Sequence, residues 1–394
     1  MSAPLPVRAE DDAFAPPLRI LIVRTGAMGD ILHGMPAVAA LRHALPRSYV
    51  GWAVEPHWIP LLKSDSAQSA SEMPLVDRVH AVPTREWKAR PLSVATLRQI
   101  ANLRRELRSE RYDVCIDLQG SIRSAVLGRL SGSVRLLGPR RPRERQARAF
   151  YGERVDLTSR HVVAQACELV AAGAGLAHLE PAAALLPQDH AAEAWCEATR
   201  RGWVTPGRFI LLVPGAGWGA KRWPIEHFAE LTYALKEQGI AVLVNASFES
   251  TIDPALRAAG AIAVPCSIAQ LTALTRRASL VIGGDTGPVH LAAALGRPVV
   301  ALFGPTDPLR NGPEFPGARV KVLRHPVSVV DHRRHAETEP GLAQITVGDV
   351  VAAARQMLTR HEPEERRVRV QTATNTINMV NRIPHKTFGA NGHG

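Results

Sequence analysis

Two segments of this chain repeat one design, and that repetition constrains its fold more than any other feature. In the first, the apolar run Leu18-Arg-Ile-Leu-Ile-Val23 leads into Arg-Thr-Gly-Ala-Met-Gly-Asp and then a helical stretch, Ile31–Ala44. In the second, Phe209-Ile-Leu-Leu-Val213 leads into Pro-Gly-Ala-Gly-Trp-Gly-Ala-Lys and a helical stretch, Ile225–Gln238, which Gly239 stops. Short apolar strands that alternate with helices belong to parallel sheets covered on both faces. Further strands are expected at Tyr49–Val54, Val114–Asp117, Val134–Leu137, Ala241–Asn245, Ala261–Val264, Leu280–Gly283, Val299–Phe303 and Lys321–Leu323, with a last helix at Val347–Thr359. The pattern predicts an α/β chain with one parallel sheet in each half.

At 394 residues the chain is long enough for two domains. The Ala-, Gly- and Pro-rich stretch Leu169–Asp189 is the expected linker, which sets domains at 18–185 and 186–361. Residues 1–17 are expected to be flexible and 362–394, polar and without apolar period, to be disordered. The four cysteines, Cys115, Cys167, Cys196 and Cys266, form no C-x-x-C pair, so a reducing compartment is expected. No apolar run approaches the ~20 residues of a membrane-spanning helix, and no signal-peptide pattern opens the chain.

Charge divides unevenly. The net charge is +12, with residues 18–185 carrying 24 Lys and Arg against 15 Asp and Glu, and residues 186–361 carrying 18 against 15. An Arg-rich first half fits an anionic partner, since guanidinium recognises carboxylate and phosphate in a fork. Its basic clusters are Arg85-Glu-Trp-Lys-Ala-Arg90, Arg123, and Arg140-Arg-Pro-Arg143 with the residues that follow. Only 5% of residues are aromatic and no nucleic-acid module is visible, so a plain anion-binding face is the better reading.

Three loops carry candidate chemistry. Gly26, Gly29 and Asp30 follow the first strand, where open parallel sheets bind ligands, and Asp30 suits either a helix cap or a general base. Gly-x-x-Gly-Asp is not the dinucleotide fingerprint, because the third glycine is missing, which disfavours a nicotinamide dehydrogenase. In the second half, Gly283-Gly-Asp-Thr-Gly-Pro-Val-His290 ends a buried strand and starts a helix, placing Asp285, Thr286 and Gly287 at an anion-attracting helix end with His290 one turn in. Lys221 and Arg222 close a Gly-rich loop, Pro214 to Pro224, that lacks the Walker G-K-[ST]. His325, Asp331, His332 and His335 lie in a polar, turn-like stretch with little to define a metal site.

Together, Val23-Arg-Thr-Gly-Ala-Met-Gly-Asp-Ile-Leu-His33, Asp117-Leu-Gln-Gly-Ser-Ile-Arg-Ser, Lys221-Arg-Trp-Pro and Asp285-Thr-Gly-Pro-Val-His290 resemble glycosyltransferase family 9, the ADP-heptose:lipopolysaccharide heptosyltransferases, and within it the type I branch. The resemblance runs from about residue 18 to 360. It implies a GT-B architecture, two Rossmann-like domains facing a cleft, and an inverting, metal-independent transfer of heptose from ADP-heptose to Kdo of Kdo-lipid A. It also implies no cofactor, no nucleic acid, and a monomer in peripheral contact with the cytoplasmic face of the inner membrane. By the same resemblance Asp30 is the general base and Lys221 holds the diphosphate. Asp285, Thr286, Gly287 and His290 form the donor turn, with Glu249 the nearest acid for the ribose and Cys266 beside adenine. Arg24, Arg85, Lys88, Arg123 and Arg143 fall at acceptor positions. Ala216 and Gly217 stand where such enzymes often have hydroxyl residues. The nearest alternatives are a type II enzyme that adds heptose to heptose, and a non-catalytic protein that binds anionic glycolipid or nucleic acid.

Overall fold

A computed structural model describes residues 16–64, 74–203, 208–246, 252–331, 333 and 335–359 of the chain. Residues 1–15, Glu249, His332 and the segment beyond 359 lie outside the described residues. Each half of the chain builds one parallel sheet. The first comprises β1 (Arg19–Val23), β2 (Tyr49–Val54), β3 (Arg78–Ala81), β4 (Val114–Asp117), β5 (Arg135–Pro139) and β6 (Glu153–Val155), in the order β3-β2-β1-β4-β5-β6. The second comprises β7 (Phe209–Val213), β8 (Ala241–Ala246), β9 (Ile262–Pro265), β10 (Leu280–Gly284), β11 (Pro298–Phe303) and β12 (Arg319–Arg324), in the order β12-β11-β10-β7-β8-β9. Counted from its own first strand, the second order repeats the first. Strand order therefore reverses twice, between β1 and β4 and between β7 and β10, and such switch points open the crevices in which doubly wound sheets bind ligands.

The central strands owe their place to continuous apolar runs. Every residue of β7, β10 and β11 is buried, as a strand covered by helices on both faces requires. The edge strands β3 and β6 were not expected from the sequence. Arg78-Val-His-Ala alternates and Glu153-Arg-Val is mostly polar, because an edge strand is half exposed and needs no apolar run. The expected linker also begins too early. Leu169–Ala174 completes the helix Val162–Ala174, with Leu169, Val170 and Ala171 buried against the helix Met28–Ala44. Small residues there serve close helix packing. The final helix, Val347–Thr359, buries Val350, Ala353, Ala354 and Met357 with Phe228 and Leu231.

The halves meet where two helices begin. Met28–Ala44, which follows β1, packs against Gly287–Ala294, which follows β10. A Cβ on Gly287 would stand 2.7 Å from Met28 Cβ, and one on Gly29 would stand 3.2 Å from His290 Cδ2. A side chain at Gly287 would force a shift and one at Gly29 would crowd His290, and the two close approaches set the switch points face to face.

Candidate active site

Asp30 and the Lys221–Asp285 pair hang from strands that flank the two switch points. On the first sheet, Asp30 sits in the first turn of Met28–Ala44. Its Oδ2 accepts the Ala27 N–H at 3.0 Å, and its Oδ1 pairs with Arg24 Nη2 at 2.9 Å. Each oxygen keeps a lone pair, and the side chain is 37% exposed, so the carboxylate can serve the helix start and still take a proton. The cap and base readings of Asp30 are thus compatible. Arg24 also donates through Nη1 to the Leu118 carbonyl beyond β4, and it is 16% exposed.

The β4 loop is fixed by a residue that sequence reasoning quoted without assigning. Gln119 Oε1 accepts both the N–H and the O–H of Thr25, at 2.8 and 2.9 Å, which pins the β1 loop to the β4 loop. Below it lies Asp117, fully buried. Asp117 accepts from Gln119 N–H and Gly120 N–H on one oxygen, and from Ser124 Oγ and Tyr151 OH on the other. Burial raises its pKa and those four donors oppose the rise. The signal that would have found Gln119 was its place between Asp117 and Gly120 at a strand end.

On the second sheet, the Lys221 ammonium donates to Asp285 Oδ2, and His290 Nε2 donates to Asp285 Oδ1 at 2.9 Å. The side chains are 12%, 8% and 4% exposed. Burial alone would raise the Asp285 carboxyl, but the His290 hydrogen bond and the charges of His290 and Lys221 hold it well below the usual carboxylate range. Lys221 Nζ also lies 4.3 Å from the Trp218 ring centroid, so an aromatic face and a carboxylate locate one cation. Thr286 is the backbone N-cap of Gly287–Ala294, yet its hydroxyl makes no cap hydrogen bond and is buried without a partner, as is that of Thr306 just beyond β11. The Gly287 N–H, first in the helix, has no intrahelical acceptor, and the helix end carries about half a positive charge. A cation, an unpaired N–H and the unspent Thr286 hydroxyl therefore collect at the β7 and β10 strand ends, a composition suited to a diphosphate.

Cys266 follows β9, where its Sγ accepts from Asn245 Nδ2 at 3.5 Å and burial pushes the thiol up to about 11. With strands ~4.8 Å apart, β9 is about 10 Å from β7, within the span of a nucleotide that starts at the switch point. The acceptor candidates divide. Arg123 and Arg143 are exposed beside the β4 loop, where Glu144 N–H donates to Gly120 O and Glu144 Oε2 accepts from Ile122 N–H, both at 2.9 Å. Arg85 and Lys88 are exposed on the helix Thr84–Ala89 beyond edge strand β3, where the Arg85 N–H donates to Glu55 Oε1 at 3.1 Å and the Glu55 N–H donates to the Thr25 carbonyl of the β1 loop at 3.1 Å. Arg222 points to solvent. His335 pairs with Asp331 at 3.0 Å on the surface, and among the described residues no group of three or more His, Cys, Asp or Glu is placed to hold a metal ion.

A cluster of rings lies behind the site. His33, one turn after Asp30, has its ring 4.5 Å from that of His290, 5.8 Å from that of His161 and 5.6 Å from Phe315. Burial pushes His33 well below its ordinary value, helped by His290, His161 and Arg24 and opposed by Asp285. Burial likewise lowers His161, against the nearby Glu314 carboxylate and the Gly312 carbonyl. In the unfolded chain both rings titrate near pH 6.5, so below that pH the unfolded state binds protons that the fold excludes. Stability is therefore complete above pH 6.5 and falls as pH drops, by about 1.4 kcal/mol per unit for each ring until its folded pKa is reached. Denaturant midpoints at pH 7.5 and 5 check this, and equal midpoints would contradict it.

The family model for glycosyltransferase family 9 (heptosyltransferase) matches residues 100–334. Lipopolysaccharide heptosyltransferase 1 of Escherichia coli strain K12 is 30% identical over 300 residues, covering 74% of this chain and 89% of that protein. Lipopolysaccharide heptosyltransferase 2 of the same strain is 26% identical over 323 residues, covering 77% and 87%. Among solved structures, E. coli heptosyltransferase WaaC with ADP superposes with a TM-score of 0.65 at 26% identity, covering 86% of this chain and all of that one.

Proposed function

Because the chain belongs to glycosyltransferase family 9, we propose that it transfers heptose from ADP-heptose to Kdo of Kdo-lipid A by a single inverting displacement that needs no metal ion. It is a heptosyltransferase of lipopolysaccharide core biosynthesis with the GT-B fold. The observation that carries the finer reading is the meeting of the two switch points. Asp30 is presented from the first sheet and the Lys221–Asp285 pair from the second, across the contact of Met28 with Gly287.

In this reading residues 18–185 bind the acceptor and residues 186–361 the donor. Asp30 takes the proton of the acceptor hydroxyl, whose oxygen attacks the anomeric carbon from the face opposite the leaving group. Arg24 holds Asp30 in place. As the bond to ADP breaks, negative charge grows on the diphosphate, and Lys221, the Gly287 N–H and the helix end are already set to receive it. Those positive groups supply what a divalent cation supplies elsewhere. Thr286 adds a hydroxyl, Cys266 lies beside adenine, and Glu249 is proposed for the ribose. Arg123 and Arg143 meet the acceptor's carboxylates and phosphates near the site, while Arg85 and Lys88 meet its more distant phosphates. A lipid-anchored, anionic acceptor would bring the enzyme, as a monomer, to the cytoplasmic face of the inner membrane; no helix among the described residues is long and apolar enough to cross it. The acceptor is assigned as Kdo in preference to heptose on the higher identity to the type 1 enzyme, 30% against 26%.

Two results test this reading. ADP will raise the thermal midpoint and short oligonucleotides will not; stabilisation by oligonucleotide alone would return the chain to the nucleic-acid class. Transfer will proceed at an unchanged rate in excess EDTA, and abolition reversed by a divalent ion would remove the metal-independent step. The contact between the halves has its own consequence. Gly287→Ala places a methyl against Met28 Cβ, and a misplacement on the order of 1 Å costs up to about 100-fold. Transfer by that variant will fall by about 10-fold or more; a wild-type rate would show that the helix starts need not touch.

A further inference from the structure

His33 and His161 have no part in the mechanism above, yet both are aimed at one atom of the opposite half. His33 Nε2 lies 3.3 Å from the Gly312 carbonyl oxygen, and His161 Nε2 lies 3.1 Å from the same oxygen. A carbonyl only accepts, so each ring carries its proton on Nε2. His161 Nδ1 in turn accepts the Val163 N–H at 3.3 Å at the start of Val162–Ala174, which fixes that ring as neutral. The Gly312 carbonyl, which also accepts the Glu314 N–H of its own loop at 2.9 Å, is thus met by two imidazoles from the other half of the chain. His33 is also wedged between groups of the second half: its ring stacks on Phe315 at 19° and meets His290 edge to face at 79°.

We propose that His33 is a positioning residue that registers the acceptor half against the donor half, with His161 as its second prong on Gly312. The physical path is short. Asp30 and His33 are one turn apart on one rigid helix, His33 packs on His290, His290 holds Asp285, and Asp285 holds Lys221. The distance from the base to the diphosphate clamp is therefore set by a ring contact and two hydrogen bonds to a backbone atom. Neither His33, His161 nor Gly312 needs to touch the substrate. The donor's own contacts are left intact when His33 is removed, so the effect appears in turnover and not in nucleotide affinity.

The experiment compares His33→Ala, His33→Gln and His161→Ala with wild type, measuring kcat, calorimetric ADP affinity and the radius of gyration by small-angle scattering with ADP bound. His33→Ala is expected to lose about 10- to 100-fold in kcat, in line with a displacement on the order of 1 Å, with ADP affinity within about twofold and a larger radius. His33→Gln, which keeps an N–H for Gly312, recovers most of the loss, and His161→Ala shows a smaller loss of the same kind. A folded His33→Ala enzyme with wild-type kcat and radius overturns the proposal, as does a loss that appears equally in ADP affinity or that Gln fails to relieve. Should His33→Ala fail to fold, His161→Ala decides on the same criteria. The kinetic arm rests on the heptosyltransferase reading and the scattering arm does not. A wild-type protein that transfers no heptose refutes that reading, while the radii still decide whether His33 joins the halves.

Discussion

Replacing Asp30 by alanine will lower heptose transfer by roughly 10²–10⁴-fold while ADP affinity stays at the wild-type value. The size follows from what the carboxylate supplies. A sugar hydroxyl is a weak nucleophile, and a positioned base removes its proton as the new bond forms. The separation of effects follows from geometry, because Asp30 belongs to the first sheet and makes its bonds to Ala27 and Arg24, both of that sheet. Loss of the Ala27 cap bond costs about 1 kcal/mol, too little to unfold a chain of this size. Asp30→Asn sharpens the test, since the amide keeps an oxygen for the Ala27 N–H but cannot take a proton at neutral pH. It should be as slow as alanine and nearly as stable as wild type. Turnover within about tenfold of wild type in Asp30→Asn would assign Asp30 to the cap alone.

Lys221→Met has a different signature. The ammonium neutralises the buried Asp285 carboxylate, and in the proposed mechanism its remaining donors meet the diphosphate. Its loss leaves the buried Asp285 carboxylate with the His290 hydrogen bond but no ammonium, and removal of one member of a buried pair costs about 3–5 kcal/mol. Catalysis loses a preorganised cation at the leaving group, worth about 10²–10³ in rate. ADP binding will weaken strongly while adenosine, which has no phosphate, binds as it does to wild type. Equal binding of ADP by Lys221→Met and wild type would remove the lysine from the donor site. The paired variant Lys221→Met with Asp285→Asn should recover stability without recovering transfer, because it removes the uncompensated charge but restores no cation.

What could be read in advance and what could not divides along physical lines. The central strands were legible because a strand covered on both faces has to be apolar throughout, as Phe209–Val213 and Leu280–Gly284 are. The edge strands Arg78–Ala81 and Glu153–Val155 were not, since one face of each meets solvent. Leu169–Ala174 was misread as linker because alanine and glycine serve loops and tight helix packing alike. Asp30, Lys221 and Asp285 stood out through their glycine-rich surroundings at strand ends, which is local information. The pairing of Lys221 with Asp285 spans 64 positions, and that of His33 with Gly312 spans 279. In the second case the acceptor is a backbone oxygen, which leaves no mark in the sequence. Thr286 caps its helix only through its backbone, its hydroxyl being left unpaired, and that spare donor leaves no mark in the sequence either.

The proposed transfer needs the two switch points to act as one site, with a base on the acceptor side and a cationic clamp on the donor side. The most direct measurement is transfer from ADP-heptose to Kdo-lipid A, run beside an acceptor that already carries the first heptose. Turnover on Kdo-lipid A in preference to the heptosylated acceptor is expected, and its loss in Asp30→Asn. Preference for the heptosylated acceptor, or transfer that survives Asp30→Asn, would contradict the proposed transfer.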